Sequence, residues 1–418
     1  MRIMPRIQRT ASPRGARRRR IATAAIVVTT LALGGCAGGT TPNGGATASS
    51  SASTGAAVDF DAEALTAVFD ESAAAMLVPG AVMIVRTPEG EVEHAYGVTE
   101  WAGSTPVTLD DHIRIGSNTK TWTGTVILQL VEEGEIALDD PVSMYRPDVP
   151  NGENITIEQL LTMRSGLHNY TTTLELNTAL DETPERVWDP EELVRMGLAE
   201  EPYFAPGEGY EYSNTNTVLL GLIAEGIEGK PIDRIFQERL FDPLGLSETS
   251  YPAAIDTSIP EPYAHGYMFS NNVDTMEGEW LSDDELAEAA AGELVPTDHT
   301  NDNASWTSAA GAGISTASDL ATWVEALGGG GLLSDDMQQR RIESVQPNED
   351  GSAYGWGMAG MDSFYGHIGS LPGYNSFMGY DPATDVTVVV WTNLAPGADG
   401  LPTAAVLARQ LIDTLSGN

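Results

Sequence analysis

The 418-residue chain predicts an α/β domain of the α+β kind: one antiparallel sheet flanked by N- and C-terminal helices, with an inserted all-helical lobe. Three observations lead there. Runs rich in β-branched and aromatic residues occupy 81–86 and 92–98 near one end, and 364–369, 375–380 and Val386–Thr392 near the other. Helical patterns and loops dominate from residue 134 to about 300. Amphipathic helical patterns open and close this region, at 61–77 and 402–415. Strands at both ends and helices between them require a sheet assembled from distant segments. No internal repeat is present.

Each element has a local reason. Residues 61–77 set Leu65, Val68, Phe69 and Ala73 at helical spacing, and Pro79-Gly80 breaks the pattern. Thr87-Pro88-Glu89-Gly90 between the first two strands predicts a hairpin. The segment 120–133 places Trp122, Val126, Ile127 and Leu130 on one face and stops at Gly134. The acidic, alanine-rich stretch 283–293 predicts an exposed helix within a longer insertion.

The N-terminal region reads as an export signal. Eight arginines lie between Arg2 and Arg20, and an apolar run follows from 21 to 33, too short to span a bilayer. Leu33-Gly34-Gly35-Cys36 resembles a bacterial lipobox, which predicts cleavage before Cys36 and lipidation of its thiol. Arg17-Arg18-Arg19-Arg20 hints at twin-arginine export, with the general secretory route as the alternative. The expected organisation is a lipoprotein signal peptide over 1–35, a flexible Gly/Ser/Thr linker over 36–58, and a folded domain over 59–418. The linker reaches roughly 25 Å. The protein is thus expected outside the cell, lipid-anchored to the outer face of the cytoplasmic membrane.

Cys36 is the only cysteine, so the folded domain has no disulfide, thiol nucleophile or thiolate metal site. None of the 60 acidic residues precedes Cys36, and eight of the 21 basic ones do, leaving 13 basic residues and a net charge of −47. That field argues against nucleic acid or anionic lipid as a partner. The membrane is expected to be met only through Cys36, and a monomer is expected. His94, His112, His168, His265 and His299 show no metal-ligand spacing, and neither a metal nor a cofactor is expected.

The chain has two lysines, Lys120 and Lys230, and Lys120 follows Ser117 by three residues. A serine at a helix start gains from the backbone N–H groups aimed at it, and a lysine one turn later shares its face. A desolvated lysine can give up its proton, whereas arginine does not. Ser117 and Lys120 thus suggest a nucleophile with a proton acceptor, and acyl transfer. In Tyr212-Ser213-Asn214 the phenol can relay a proton to a leaving group and the amide can hold a substrate carbonyl. In His367-Ile368-Gly369-Ser370 the glycine lets substrate backbone approach closely. The N–H of Ser370 can pair with that of Ser117 as an oxyanion hole. The order of base and relay between Lys120 and Tyr212 stays open.

In this order the three elements resemble the serine β-lactamase and penicillin-binding protein superfamily, and Tyr-x-Asn in second place resembles its class C β-lactamase-like branch. The resemblance spans about 60–415. It includes Ile113-Arg114-Ile115-Gly116 before the nucleophile, Ser165-Gly166-Leu167, Phe204-Ala205-Pro206-Gly207, and Trp306 ahead of Ser308-Ala309-Ala310-Gly311. It implies a β-lactamase/transpeptidase-like fold and an acyl-enzyme on Ser117. Ser117, Lys120 and Tyr212 would be catalytic; Asn214, Trp306, His367, Gly369 and Ser370 would bind substrate.

Histidine at 367 resembles the D-alanyl-D-alanine carboxypeptidases, which makes such an enzyme, acylated by β-lactams, the first expectation. A class C-like β-lactamase, a serine esterase or D-amino-acid amidohydrolase, and a non-catalytic β-lactam-binding lipoprotein are the alternatives. The substrate would be a small peptide, a β-lactam or an ester. Two departures weigh against a strict carboxypeptidase. Ile368 stands where the resemblance to those enzymes implies threonine, and Gly357-Met358-Ala359-Gly360-Met361-Asp362 holds no arginine to pair with a terminal carboxylate. Arg340 or Arg341 would have to reach in instead.

Overall fold

The computed structural model describes residues 60–417. The signal peptide, Cys36 and the linker expected up to residue 58 lie outside the described residues. Asp61 caps the first helix, α1 (Ala62–Ala75), taking the N–H groups of Glu63 and Ala64 at 3.0 Å each. Strands β1 (Gly80–Thr87) and β2 (Gly90–Gly97) follow, joined by Pro88 and Glu89 in the predicted hairpin.

The C-terminal region supplies the other strands: β3 (Gln346–Pro347), β4 (Ala353–Tyr354), β5 (Ala359–Met361), β6 (Phe364–Leu371), β7 (Tyr374–Asp381) and β8 (Val386–Thr392). Their spatial order is β2-β1-β8-β7-β6-β5-β4-β3, and every neighbour is antiparallel. The sheet closes where β1 meets β8, from Ala81 opposite Thr392 to Arg86 opposite Thr387. Both strands are covered on two faces, which explains their near-continuous apolar sequences. Strands β3 to β5 are too short to show alternation and were not expected.

One face of the sheet carries α1 and the last helix, α6 (Thr403–Leu415), around Leu65, Phe69, Val388, Leu407 and Leu411. The other carries α2 (Thr119–Glu133), α5 (Ala317–Gly329) and the inserted lobe, which includes α3 (Leu174–Glu182) and α4 (Asn214–Glu228). The lobe contains more than helices. Ile113–Arg114 pairs with Ile314–Ser315, and Tyr267–Met268 with Thr297–Asp298, as two small ribbons. The exposed acidic helix spans Asp283–Ala290 and is held by a Ser282/Glu285 capping box.

Helix α2 ends at Gly134, in the left-handed region at φ 77°, as its sequence predicts. Its burial differs from the expected single face: every residue from Thr119 to Leu128 is buried. Polar side chains tolerate this because they are satisfied. Thr123 Oγ1 donates to Ala309 O at 2.7 Å, and Thr125 Oγ1 to Thr121 O at 2.7 Å. Helix α2 is therefore a central strut, and it carries Lys120 into the interior.

Candidate active site

The turn Gly116–Asn118 feeds directly into α2. Between residues 111 and 128 every position is buried except Ser117. Gly116 sits at φ 54°, and a Cβ there would come within 2.7 Å of Ser370 N. Glycine thus lets the turn press against β6. Asn118 Nδ2 donates to Ser376 Oγ at 2.7 Å, and that hydroxyl donates to Ile115 O at 2.9 Å. Strand β7 thereby pins both sides of the nucleophile turn.

Lys120 Nζ lies 2.9 Å from Ser117 Oγ, 2.6 Å from Asn214 Oδ1 and 2.7 Å from Ala310 O. Burial drives its pKa well below the usual lysine range, and among the described residues no carboxylate pairs with it. A neutral amine has two N–H groups and one lone pair. Asn214 Oδ1 and Ala310 O can only accept, so they take both N–H groups. In the neutral form the lone pair then faces Ser117, whose hydroxyl can donate to it. The Asn214 amide is fixed in turn: its Nδ2 donates to Asn169 Oδ1 at 3.2 Å and Thr171 Oγ1 at 3.0 Å.

The Tyr212 ring lies 5.0 Å from Lys120 Nζ. Burial raises its pKa above the ordinary phenol value, against a hydrogen bond to Ser117 that lowers it. The phenol is thus protonated at neutral pH and can donate. Behind it stand Tyr354 and His367, with ring centroids 6.0 and 6.1 Å from the Tyr212 ring.

His367 is buried, and burial with the nearby Lys120 pushes its pKa down to about 3, against a backbone hydrogen bond to Ile368. Its Nδ1 lies 2.7 Å from Ile368 O, which can only accept, so Nδ1 carries the proton. Nε2 then accepts from the Tyr354 hydroxyl at 3.1 Å.

Three residues of β6 are placed away from the cleft surface. His367 does not line the cleft; it is a neutral imidazole backing Tyr212 and Tyr354. Gly369 is not kept open for substrate. A Cβ there would fall 1.9 Å from Ile115 O and 2.5 Å from Ser376 Oγ, so the nucleophile's own turn occupies that space. Ile368 points to the opposite face of the sheet, among the residues packed by α1 and α6. A threonine at 368 would not present its hydroxyl to the cleft.

Ser117, Tyr212, Asn214, Trp306 and Ser370 do come together, lining an open cleft of about 340 Å³. Trp306, Leu180 and Leu371 form its apolar wall. Neither Arg340 nor Arg341 reaches it. Arg340 is exposed, over the Trp356 ring at 5.3 Å. Arg341 is buried behind α2, donating to Thr125 Oγ1 at 2.7 Å and Trp356 O at 3.2 Å. Asn169, Thr171, Tyr354 and Ser376 escaped the sequence reading, since none belongs to a short motif. Asn169 alone had a signal, two residues beyond Ser165-Gly166-Leu167.

A sequence model of the family Beta-lactamase matches residues 65–412. The chain belongs to that family. It is a hydrolase of the serine β-lactamase and penicillin-binding protein superfamily. Among solved structures, this Beta-lactamase family member is similar to a D-stereospecific amidohydrolase from Streptomyces sp., with 29% identity and a TM-score of 0.69 over 84% of this chain and 98% of that one. The D-amino acid amidase of Ochrobactrum anthropi SV3 shows 27% identity and a TM-score of 0.72 over 85% and 99%. Protein flp of Staphylococcus aureus strain N315 is 26% identical over 76% of this chain; the match spans 60% of flp's own length.

Proposed function

We propose that this Beta-lactamase family member is an exported serine hydrolase that forms an acyl-enzyme on Ser117 and cleaves neutral amides or esters. The contact set around Lys120 Nζ carries the reading. Ser117 Oγ attacks the scissile carbonyl while its proton passes to the Lys120 lone pair. The Ser117 and Ser370 N–H groups hold the developing oxyanion. Tyr212 passes a proton to the departing nitrogen or oxygen, and Lys120 restores it. Water then enters, gives its proton to the same pair, and frees the acid and Ser117.

The cleft lining supports a neutral substrate. Among the described residues, it holds no arginine to read a carboxylate and no carboxylate to read a cation, and Arg164, in the groove that meets it at Tyr212, already donates to Thr162 O at 2.8 Å and Asn348 Oδ1 at 2.8 Å. The similar amidohydrolase and amidase structures support the same direction. A D-alanyl-D-alanine carboxypeptidase is the second reading, and one observation favours it. Arg114, buried, lines a cavity of about 20 Å³ that shares Leu180, Asn272, Trp306 and Leu371 with the cleft. Its Nε and Nη1 have no partner among the described residues. That volume is roughly one water's. A panel of D-Ala-D-Ala peptide, its C-terminal amide, nitrocefin and a nitrophenyl ester tests the choice. The amide and ester should be cleaved at least as well as the free acid. A kcat/KM strongly favouring the free acid would restore the carboxypeptidase, and dominant nitrocefin turnover a β-lactamase.

Tyr212→Phe keeps the ring packing and removes the relay. Turnover should fall by roughly 10²–10⁴. A negligible loss would reduce Tyr212 to a packing residue.

The export reading rests on the lipobox-like residues before Cys36. Cys36→Ser should move the protein from the membrane fraction to the medium. Retention on the membrane would favour an uncleaved signal anchor.

A further inference from the structure

Two asparagines in the cleft, Asn177 on α3 and Asn272, have fixed amide orientations. Each is 8% exposed. Asn177 Nδ2 donates to Thr171 O at 3.0 Å and to Thr173 O at 2.8 Å. Asn272 Nδ2 donates to Asp181 Oδ1 at 2.7 Å, and its backbone N–H reaches the same oxygen at 2.8 Å. Backbone carbonyls and an ionised carboxylate only accept, so neither amide can be turned round. Both side-chain oxygens therefore remain, with no hydrogen-bond partner among the described residues, on side chains that line the cleft. Asp181 also accepts from Val273 N at 3.0 Å, so its charge is held behind Asn272 and strengthens that amide oxygen as an acceptor.

The same cleft carries the apolar wall of Leu180, Trp306 and Leu371. A second groove, of about 640 Å³, meets the site at Tyr212 from the side of Tyr210 and Arg164. Tyr212 protonates the leaving group, so that groove suits the departing part, and the asparagine-lined cleft suits the acyl part.

We propose that Asn177 and Asn272 form an acceptor pair that reads an N–H donor on the acyl part of the substrate. With the apolar wall beside it, the pair makes the enzyme selective for aminoacyl or acylaminoacyl amides and esters with an apolar side chain. This rests on the acyl-enzyme reading above. An uncharged free amine and an acylated amine both supply the donor, and the test separates them.

Three primary amides with one apolar side chain are compared: the α-amino compound, its N-acetyl derivative, and the analogue with hydrogen in place of the amino group. The full-length wild type should cleave at least one donor-bearing amide on the order of 10- to 100-fold faster in kcat/KM than the analogue. The faster of the two identifies the natural donor. Asn177→Leu and Asn272→Leu should each bring that ratio down by roughly 10-fold. Analogue turnover in the same preparation reports on folding. If a variant loses it, the wild-type ratio still decides. Equal wild-type turnover of all three amides overturns the proposal, as does a ratio that survives in the double variant. Failure of every substrate, with no acyl-enzyme formed, instead overturns the covalent reading on which this one rests.

Discussion

Ser117→Ala should leave no covalent adduct. Intact-mass spectrometry after exposure to a β-lactam should show one adduct on the wild type and none on the variant. Turnover should fall by roughly 10⁴–10⁶, the range expected when a nucleophile with its own proton acceptor is removed. The fold should survive, because the turn is held by Asn118, Ser376 and Gly116 rather than by the Ser117 hydroxyl. An adduct that persists in the variant would place the nucleophile elsewhere.

Lys120→Arg should lose acylation almost as completely although the charge is retained. A guanidinium does not give up its proton, so it has no lone pair for Ser117. Lys120→Met serves beside it: it keeps the length without the bulk of arginine, and circular dichroism on both separates a lost base from a lost fold. Near-normal acylation in either variant would leave lysine a structural role only. The pH dependence has a defined sign. Burial depresses the Lys120 pKa below its usual 10.5, so the amine stays neutral at pH values where an exposed lysine is charged. Acylation should rise with pH through the depressed pKa and fall away below it as Nζ gains a proton. Between the depressed value and the unfolded one, the unfolded chain binds more protons, so stability rises with pH there. Lys120→Met should remove that component of the slope. His367, held neutral down to about 3, should contribute no limb near neutral pH.

The sheet and its flanking helices were legible because their patterns are long. Val386–Thr392 is a seven-residue run of β-branched and aromatic residues, and α1 and α6 repeat with helical spacing. Strands β3 to β5 span two or three residues, shorter than any period they could express. At the site, Ser117, Lys120, Tyr212 and Asn214 were legible because their chemistry sits in short motifs. His367 and Gly369 were legible as members of β6, but only packing shows that Tyr354 and Ile115 are their neighbours. Asn169 and Ser376 act through contacts 45 and 258 residues away in sequence, which no local pattern encodes.

The sheet joins β1 to β8 across most of the chain, and Asn393 Oδ1 accepts from Gly80 N over 313 positions. The nucleophile turn depends on Ser376, 261 residues beyond Ile115. During synthesis, Ser117 is made early, but its turn lacks the Ser376 anchor until β7 has been added. Ordering such a distant pairing is slow, because loop closure must precede the contacts that reward it. Reactivity at Ser117 should therefore emerge only in the last stage of folding. A covalent β-lactam probe would then label only chains whose sheet has closed, and could be used to time that closure.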